Sequence, residues 1–253
     1  MKTVGIIPAR LQSTRLPRKL LLDQTGQPLI RYVWQVAADC SALDEVIVAT
    51  DSEEIRNVVT AFGGRAELTG DHPSGTDRIA EVAKRCCPNA DVIVNLQGDE
   101  PELEPETVNA LVEALANTQS EMATVAAPIR DPAVVSDPNC VKVVMDDVGR
   151  ALYFSRAPIP FLREGNLAEQ LAATSDVNWL LHVGLYAYRR DFLLKLTQMP
   201  PSTLEQIEKL EQLRALQSGA DIAVAVVPQA AVGIDTPADY DAFVARTQAR
   251  RVG

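Results

Sequence analysis

The sequence has little of what builds zinc sites and disulfide frameworks. Its 253 residues include four cysteines and two histidines, His72 and His182. No Cys-x-x-Cys pair occurs, and neither histidine has a cysteine or a second histidine beside it. Structural zinc sites and disulfide scaffolds need such spacings, so we expect reduced thiols and no zinc. His182 lies in an apolar, strand-like stretch, so it is either a histidine of the core or a residue that contacts a substrate.

Long apolar runs and an excess of positive charge are also missing. No apolar run approaches the roughly 20 residues that span a bilayer, and the apolar stretch at residues 4–7 is too short for a secretory signal. We therefore expect a cytoplasmic protein with no membrane partner. The formal net charge of -10 argues against a nucleic-acid partner, because nucleic-acid binding usually needs a basic face.

Several glycine-based signatures are missing as well. No Gly-x-Ser-x-Gly motif occurs, and the loop after the first apolar run has no glycine before Gly26. That loop therefore matches neither the P-loop nor the Gly-x-Gly-x-x-Gly pattern. These absences argue against a Ser-His-Asp hydrolase, a P-loop kinase and a dinucleotide-dependent oxidoreductase.

Apolar, β-branched runs alternate with helical patterns in the first half of the chain. The runs at residues 3–7, 44–51 and 91–101 predict strands, and helical patterns separate them. Continuous apolar strands between helices indicate a mostly parallel sheet that is covered on both faces. We therefore predict an α/β fold with helices on both faces of the sheet.

After about residue 128 the pattern changes to strands without clear helices between them. Such strands are predicted at residues 141–146, 151–155 and 181–189. They suggest antiparallel pieces, and no low-complexity linker sets them apart. We predict one domain over residues 1–253, with a smaller β-rich lobe inserted at about 128–220.

Residues 203–219 predict a single helix with an unusual apolar pattern. Its large apolar residues recur at every third position, and such a series rotates by roughly 60° per step on an α-helix. A helix that is apolar on several sides is buried in a core or against another subunit. Glu208 and Glu211 lie within this helix. The apolar pattern allows either that they are exposed to solvent or that at least one of them faces a specific partner.

Four cations follow the first predicted strand. Arg10, Arg15, Arg18 and Lys19 lie in one loop together with Ser13. In an open parallel sheet, ligands bind beyond the carboxyl ends of the strands, where this loop begins. Guanidinium, ammonium and hydroxyl groups are suited to cradle a polyphosphate there. A solvated basic loop is the alternative.

Two acids stand where later predicted strands meet their loops. Asp99 ends one apolar strand, and Asp235 comes shortly after another. A Mg²⁺ ion on a nucleotide needs few carboxylates, since phosphates and water supply the other oxygens. The alternatives are a turn position for Asp99 and a helix-capping role for Asp235.

Eight stretches spread over essentially the whole chain carry a family resemblance. In order, they are IIPARLQSTRLPRKLL, VIVATDSEEI, GDHPSGTDRIAEV, VIVNLQGDEP, CVKVVMDDVGRALYFSRAPIP, HVGLYAYRRDFL, STLEQIEKLEQLR and GIDTPADYD. Together they resemble the 3-deoxy-manno-octulosonate cytidylyltransferases, also called CMP-Kdo synthetases. The resemblance implies that CTP and the keto-acid sugar Kdo give CMP-Kdo and pyrophosphate, for lipopolysaccharide biosynthesis.

The resemblance also implies a fold, a cofactor and a set of site residues. The fold is of the nucleotide-diphospho-sugar transferase type, the cofactor is Mg²⁺ and the assembly is a homodimer, with the lobe at about 128–220 serving sugar binding and dimerisation. The implied CTP site comprises Arg10, Ser13, Arg15, Lys19, Ser74, Gly75, Thr76, Arg78 and Gln97; the Kdo site Arg156, His182, Tyr186, Glu211 and Gln212; the metal site Asp99 and Asp235; and the catalytic set Arg10, Lys19, Asp99 and Asp235.

Two positions depart from the family's pattern. Arg18 replaces a glycine, which removes backbone freedom, and Pro73 replaces a glutamine, which removes an amide side chain and a backbone donor. Two alternatives to Kdo activation stay open. One is a cytidylyltransferase for amino-Kdo or a sialic-acid-like sugar, and the other is a non-catalytic nucleotide-binding regulator.

Overall fold

The computed structural model describes residues 1–13, 15–173 and 179–252. These form two units: unit one comprises residues 1–109 and those from 231 onward, and unit two comprises residues 110–230. The β-rich lobe predicted at about 128–220 falls within unit two, and its role in sugar binding and dimerisation stays a prediction. Within the described ranges, no helix combines the length and apolarity that a bilayer crossing requires.

Unit one is built on a parallel sheet. Its elements are β1 (Thr3–Ala9), α1 (Leu29–Asp39), β2 (Glu45–Thr50), α2 (Glu53–Ala61), β3 (Arg65–Leu68), α3 (Gly75–Cys86), β4 (Val92–Asn95), the start of α4 (Pro105–Ala116) and, from the C-terminal segment, α10 (Pro237–Val252). The strand order is β3-β2-β1-β4, and Ile6 in the central β1 pairs with Ile47 on one side and Asn95 on the other. All carboxyl ends of a parallel sheet meet at one edge, so the loops that follow β1 and β4 are neighbours.

Serine hydroxyls cap the starts of two helices in unit one. The Ser52 hydroxyl accepts a hydrogen bond from the backbone N–H of Ile55 at the start of α2. The Ser74 hydroxyl does the same for Asp77 at the start of α3. A hydroxyl in this place satisfies an N–H that has no partner within the helix, so the local sequence fixes both starts.

Unit two contains a mixed sheet. Its elements are β5 (Met122–Pro128), α5 (Pro132–Ser136), β6 (Lys142–Met145), β7 (Ala151–Ser155), α6 (Leu167–Ala172), β8 (Leu180–Arg189), α7 (Arg190–Leu196), α8 (Thr203–Glu208), α9 (Gln212–Gln217) and β9 (Ile222–Val226). Strand β5 runs parallel to β9 and antiparallel to β8. Strand β6 pairs antiparallel with β7 and β8. The antiparallel prediction is confirmed, but the short helix α6 lies between β7 and β8, so expecting no helix between the predicted strands was wrong.

The prediction of a single helix over residues 203–219 was also wrong. The chain breaks into α8 and α9 at Lys209, which takes a left-handed conformation with φ of 54°. Leu213 is completely buried, whereas Ile207 is 72% exposed. The apolar residues spaced by three therefore do not form one buried helix: α8 has no buried residue, whereas α9 buries Gln212, Leu213 and Ala215.

A small core fixes the geometry around the opening loop of unit one. Leu16, Leu29, Ile234, Tyr240 and Phe243 are all buried together. The backbone N–H of Gln24 also donates to the Tyr240 hydroxyl at 3.0 Å. This core attaches the C-terminal segment to the loop after β1. The four cysteines are reduced, as predicted.

Candidate active site

A cleft of about 490 Å³ opens in unit one beyond the carboxyl end of β1. Its walls come from the loops after β1 and β4 and from the segment before α10. The lining residues are Pro8, Arg10, Gln12, Ser13, Arg15, Lys19, Leu20, Gln97, Gly98, Asp99 and Asp235. The structure thus brings together four predicted phosphate-binding residues, both predicted metal-binding acids and Gln97.

Lys19 lies at the centre of this arrangement. Its ammonium is 2.6 Å from Asp99 Oδ2 and 3.2 Å from Asp235 Oδ1, and it donates to the Ile234 carbonyl at 2.7 Å. Arg15 binds the other oxygen of Asp235 at 3.1 Å. The Lys19 side chain is only 12% exposed, so these contacts are only weakly screened by solvent. Two acids far apart in the chain therefore face one cation.

The capping alternative for Asp235 does not match the structure. At the start of α10, the Asp239 carboxylate accepts from the backbone N–H groups of Asp235 and Thr236, at 3.1 and 2.8 Å. The Thr236 hydroxyl accepts in turn from the Asp239 N–H at 3.2 Å. Because these two residues satisfy the helix start between them, the Asp235 carboxylate is left to the cleft.

Gly98 allows the loop after β4 to approach β1 closely. A Cβ atom at this position would lie 3.3 Å from a Leu20 methyl carbon and 3.4 Å from both Ile7 Cγ2 and the Pro8 carbonyl oxygen. A side chain would fit there only if these neighbours moved slightly away. The glycine therefore sets the distance between Asp99 and the first loop.

The arginine that replaces the family's glycine adopts a conformation that glycine adopts readily. Arg18 has φ of 57°, which costs a non-glycine residue about 1–2 kcal/mol. Its guanidinium leaves the cleft and pairs with both carboxylate oxygens of Glu54. Arg18 therefore has a backbone conformation that a glycine would also allow, and its charge is neutralised outside the cleft.

The segment predicted near the nucleoside does not line the cleft. Ser74 caps α3, Thr76 is buried, and a Cβ on Gly75 would lie 3.3 Å from the Pro8 ring. Arg78 is 1% exposed and pairs with Asp51 at 2.6 Å. In this structure Arg78 holds unit one together, and nucleoside contacts by this segment stay a prediction.

Sequence reasoning missed Gln12 and Glu100. Gln12 lines the cleft from the same loop as Ser13. Its place next to Ser13 in the sequence is the feature that could have predicted it. Glu100 follows Asp99, and the buried Oε2 atom has no hydrogen-bond partner within the described residues. Burial, with the charge of Asp99 second, raises the pKa of Glu100 to about 8. No feature of the sequence distinguishes Glu100 from a turn residue.

A β-bulge brings two predicted sugar-binding residues together in unit two. Thr124 pairs with Tyr186, but the next residue of β5 pairs with Val183, so β8 carries extra residues at this point. Four residues of a regular strand span about 13 Å, yet the rings of His182 and Tyr186 have centroids 5.5 Å apart. The Thr124 hydroxyl lies in the bulge. It forms hydrogen bonds with the Leu185 carbonyl oxygen and with His182 Nε2, each at 2.9 Å.

The other predicted sugar-binding residues lie around the α8–α9 break. Gln212 is 5% exposed, and the buried Nε2 atom has no partner among the described residues. Burial raises the pKa of Tyr186, and the charge of Glu211 raises it further, so this phenol stays protonated near neutral pH. Arg156 binds backbone carbonyls at the end of α8. All five predicted residues thus belong to unit two.

Burial lowers the pKa of His182 to about 3. The neutral imidazole can therefore exchange hydrogen bonds with a sugar acid, but it cannot supply a positive charge at neutral pH. Of the five residues predicted to bind the sugar, Arg156 is the one with a cationic side chain.

The low pKa of His182 predicts acid sensitivity of the fold. The unfolded chain binds a proton near pH 6.5 and the folded chain only near pH 3, so stability is full above pH 6.5 and falls as the pH drops through this window. We expect a loss of about 1–2 kcal/mol at pH 5 from this group. Urea unfolding of the wild type and His182→Gln between pH 7 and pH 5 measures it. Equal losses in both proteins would contradict the assignment.

Comparisons with known proteins agree with this geometry. A family model described as cytidylyltransferase matches residues 4–222. A 3-deoxy-manno-octulosonate cytidylyltransferase of Rhodopirellula baltica is 47% identical over 99% of this chain and 100% of its own length. Another, from Syntrophobacter fumaroxidans, is 49% identical over 96% of both chains.

One solved structure is similar over the whole chain. It is a CMP-2-keto-3-deoxy-manno-octonic acid synthetase complexed with CTP, with a TM-score of 0.90 and 42% identity. The match covers 99% of this chain and 100% of that one. The predicted fold class is therefore confirmed.

Proposed function

The chain belongs to the family of 3-deoxy-manno-octulosonate cytidylyltransferases, and from this membership we propose how its own residues carry out the reaction. The enzyme transfers the CMP group of CTP to Kdo and releases pyrophosphate, which yields the activated sugar for lipopolysaccharide biosynthesis. The observation that carries the residue-level proposal is the position of Lys19 between Asp99 and Asp235 in a cleft that Arg10 and Arg15 also line.

The cations of the cleft are suited to the triphosphate of CTP. Arg10 is exposed and, like Arg15 and Lys19, faces the same cavity. Negative charge builds up on the leaving pyrophosphate as the reaction proceeds. Cations that the fold already holds in position stabilise this charge without having to reorganise. Ser13 and Gln97 line the same walls and offer hydrogen bonds to the nucleotide.

Asp99 and Asp235 fit a divalent metal. Their carboxylates lie 2.6 and 3.2 Å from one ammonium, so both reach a single cation, and their hard oxygen atoms suit Mg²⁺. No group of three or more metal-binding side chains occurs in the described ranges, so phosphate oxygens and water would complete the coordination. Bound there, Mg²⁺ would neutralise phosphate charge and lower the pKa of a nearby hydroxyl.

The residues of unit two are suited to hold Kdo. The Arg156 guanidinium offers an ion pair to the sugar carboxylate, while neutral His182, protonated Tyr186 and the Glu211 carboxylate offer hydrogen bonds to sugar hydroxyls. The anomeric hydroxyl attacks the α-phosphorus in line with the leaving pyrophosphate. Most of the work that falls to the protein is positioning and charge neutralisation.

We also propose a cytoplasmic homodimer in which residues of about 128–220 contribute the contact. The family resemblance supports this, as do large apolar side chains on the surface of unit two. Leu152 is 61% exposed and Phe161 is 81% exposed.

Pyrophosphate release with defined sugars tests the proposed function. Purified protein is incubated with CTP, Mg²⁺ and Kdo, amino-Kdo or N-acetylneuraminate in turn. We expect release with Kdo to exceed release with the other acids, and CTP with Mg²⁺ to raise the melting temperature by mass action. If another sugar acid gave faster pyrophosphate release than Kdo, that acid would be the substrate. If none of the acids gave pyrophosphate release, the result would favour a non-catalytic nucleotide-binding regulator. Sedimentation of the same preparation tests the homodimer.

A further inference from the structure

The carboxylate of Glu208 joins two segments of unit two. Glu208 is the last residue of α8, and its Oε1 accepts a hydrogen bond from the Ser155 hydroxyl at 2.7 Å. Its Oε2 accepts from the backbone N–H of Arg156 at 3.0 Å. Ser155 is 3% exposed. Both oxygens of one carboxylate therefore fasten the end of α8 to the end of β7.

The side chain of Arg156 returns the contact. Its Nε donates to the Glu208 carbonyl at 2.7 Å, and an Nη group lies 3.5 Å from the Lys209 carbonyl. A cation at the carboxyl end of a helix binds carbonyls that have no partner within the helix. Arg156 and Glu208 thus hold each other through both backbone and side chains.

A buried lysine fixes the other side of Arg156. Lys142 is completely buried, and its ammonium donates to the carbonyls of Asp137, Cys140 and Arg156 at 2.9, 2.5 and 2.7 Å. The backbone of Arg156 is therefore held on one side by an ammonium and on the other by the Glu208 carboxylate.

The segment that follows Glu208 carries two predicted sugar-binding residues. Lys209 turns the chain with φ of 54°, and α9 begins at Gln212, directly after Glu211. The left-handed turn is unfavourable for a lysine, so contacts on either side have to hold it. Glu208 directly precedes the turn, and its side chain binds Ser155 at the end of β7 and the backbone N–H of Arg156.

We propose that Glu208 is a positioning residue for the sugar acid: its carboxylate fixes the α8–α9 turn to β7 and so sets Glu211 and Gln212 at a fixed distance from Arg156. The proposal rests on the proposed function, since it assumes that these residues contact Kdo. Glu208 itself acts through its neighbours and does not touch the substrate.

Glutamine is the informative replacement at this position. It has the size of glutamate but no charge: its single oxygen can accept from the Arg156 N–H, while its NH₂ group can only donate, with the Ser155 hydroxyl reversed to accept. Both hydrogen bonds to the charged carboxylate are therefore replaced by weaker bonds to a neutral amide, and the turn loosens against β7. The loss of a hydrogen bond to a charged group corresponds to roughly a tenfold effect.

Glu205 provides a matched control on the same helix. Its carboxylate binds Arg214 in two places, at 2.8 and 2.5 Å, and accepts from the backbone N–H of Ser202. Glu205→Gln therefore also removes a partly buried acid with charged and backbone partners. None of the predicted sugar-binding residues contributes to these bonds.

Steady-state kinetics of both variants test the proposal. For Glu208→Gln we expect the KM for Kdo to rise about tenfold, with the KM for CTP within twofold of the wild type. For Glu205→Gln we expect the KM for Kdo and the KM for CTP to stay within twofold of the wild type. This should hold even if the melting temperature of Glu205→Gln falls as much as that of Glu208→Gln. An unchanged KM for Kdo in Glu208→Gln, or an equal rise in both variants, would overturn the proposal.

Hydrogen exchange separates this outcome from a failure of the proposed function. In the absence of substrates, Glu208→Gln should speed exchange of the backbone amides of residues 209–213 relative to Glu205→Gln. If the wild type does not turn over Kdo, the proposed function fails, while the exchange still reports on the turn. Unchanged exchange in Glu208→Gln would show that its carboxylate does not fix the turn.

Discussion

Replacing Asp99 by asparagine is expected to lower kcat by about a thousandfold while CTP still binds. Asparagine keeps the shape and one acceptor oxygen, so the contact with Lys19, now 2.6 Å long, survives as a hydrogen bond from the ammonium to an uncharged amide oxygen. The variant loses the negative charge that a divalent cation requires. Because that cation and the fixed positive side chains share the triphosphate charge, the loss affects turnover more than nucleotide binding.

Pyrophosphate release and CTP calorimetry measure the two effects separately. Glu102→Gln is the matched control, because Glu102 follows Asp99 in the same loop and pairs with Arg246 at 2.6 Å, without lining the cleft. We expect its kinetic constants to stay within twofold of the wild type. Turnover retained in Asp99→Asn would show that Asp99 holds no catalytic metal.

The second large effect is expected from Lys19→Met. Methionine keeps most of the length of lysine but removes the charge that faces Asp99, Asp235 and the Ile234 carbonyl. We expect kcat/KM for CTP to fall by about a hundredfold to a thousandfold, since a preorganised cation stabilises the leaving pyrophosphate. The variant should also unfold at a lower temperature, because Asp99 and Asp235 both lose their ion pair with Lys19 and Arg15 contacts only Asp235 of the two.

The neighbouring residue supplies the control for this experiment. Arg18→Met removes a cation one position away, but Arg18 pairs with Glu54 and does not line the cleft. Its kinetic constants should remain within twofold of the wild type. If both variants lost activity equally, the general charge of the loop would matter and the specific position of Lys19 would not.

Most elements of unit one could be predicted because their signals are local. A hydroxyl before an acidic first turn starts α2, and continuous β-branched runs form β2 and β4. In unit two, β5 was missed because it is rich in alanine and ends in proline, which weakens the strand signal. The break at Lys209 was missed because no glycine marks the left-handed turn.

The sequence by itself determined the strand-helix alternation, the loop of cations after β1 and, through its motifs, the family. Only the tertiary structure decided that Lys19 faces Asp235, 216 residues away, and that Arg78 pairs with Asp51 in the interior. It also decided that a bulge in β8 brings His182 to Tyr186. Local patterns reflect backbone preferences over a few residues, whereas these contacts depend on sheet order and core packing, which involve residues from the whole unit.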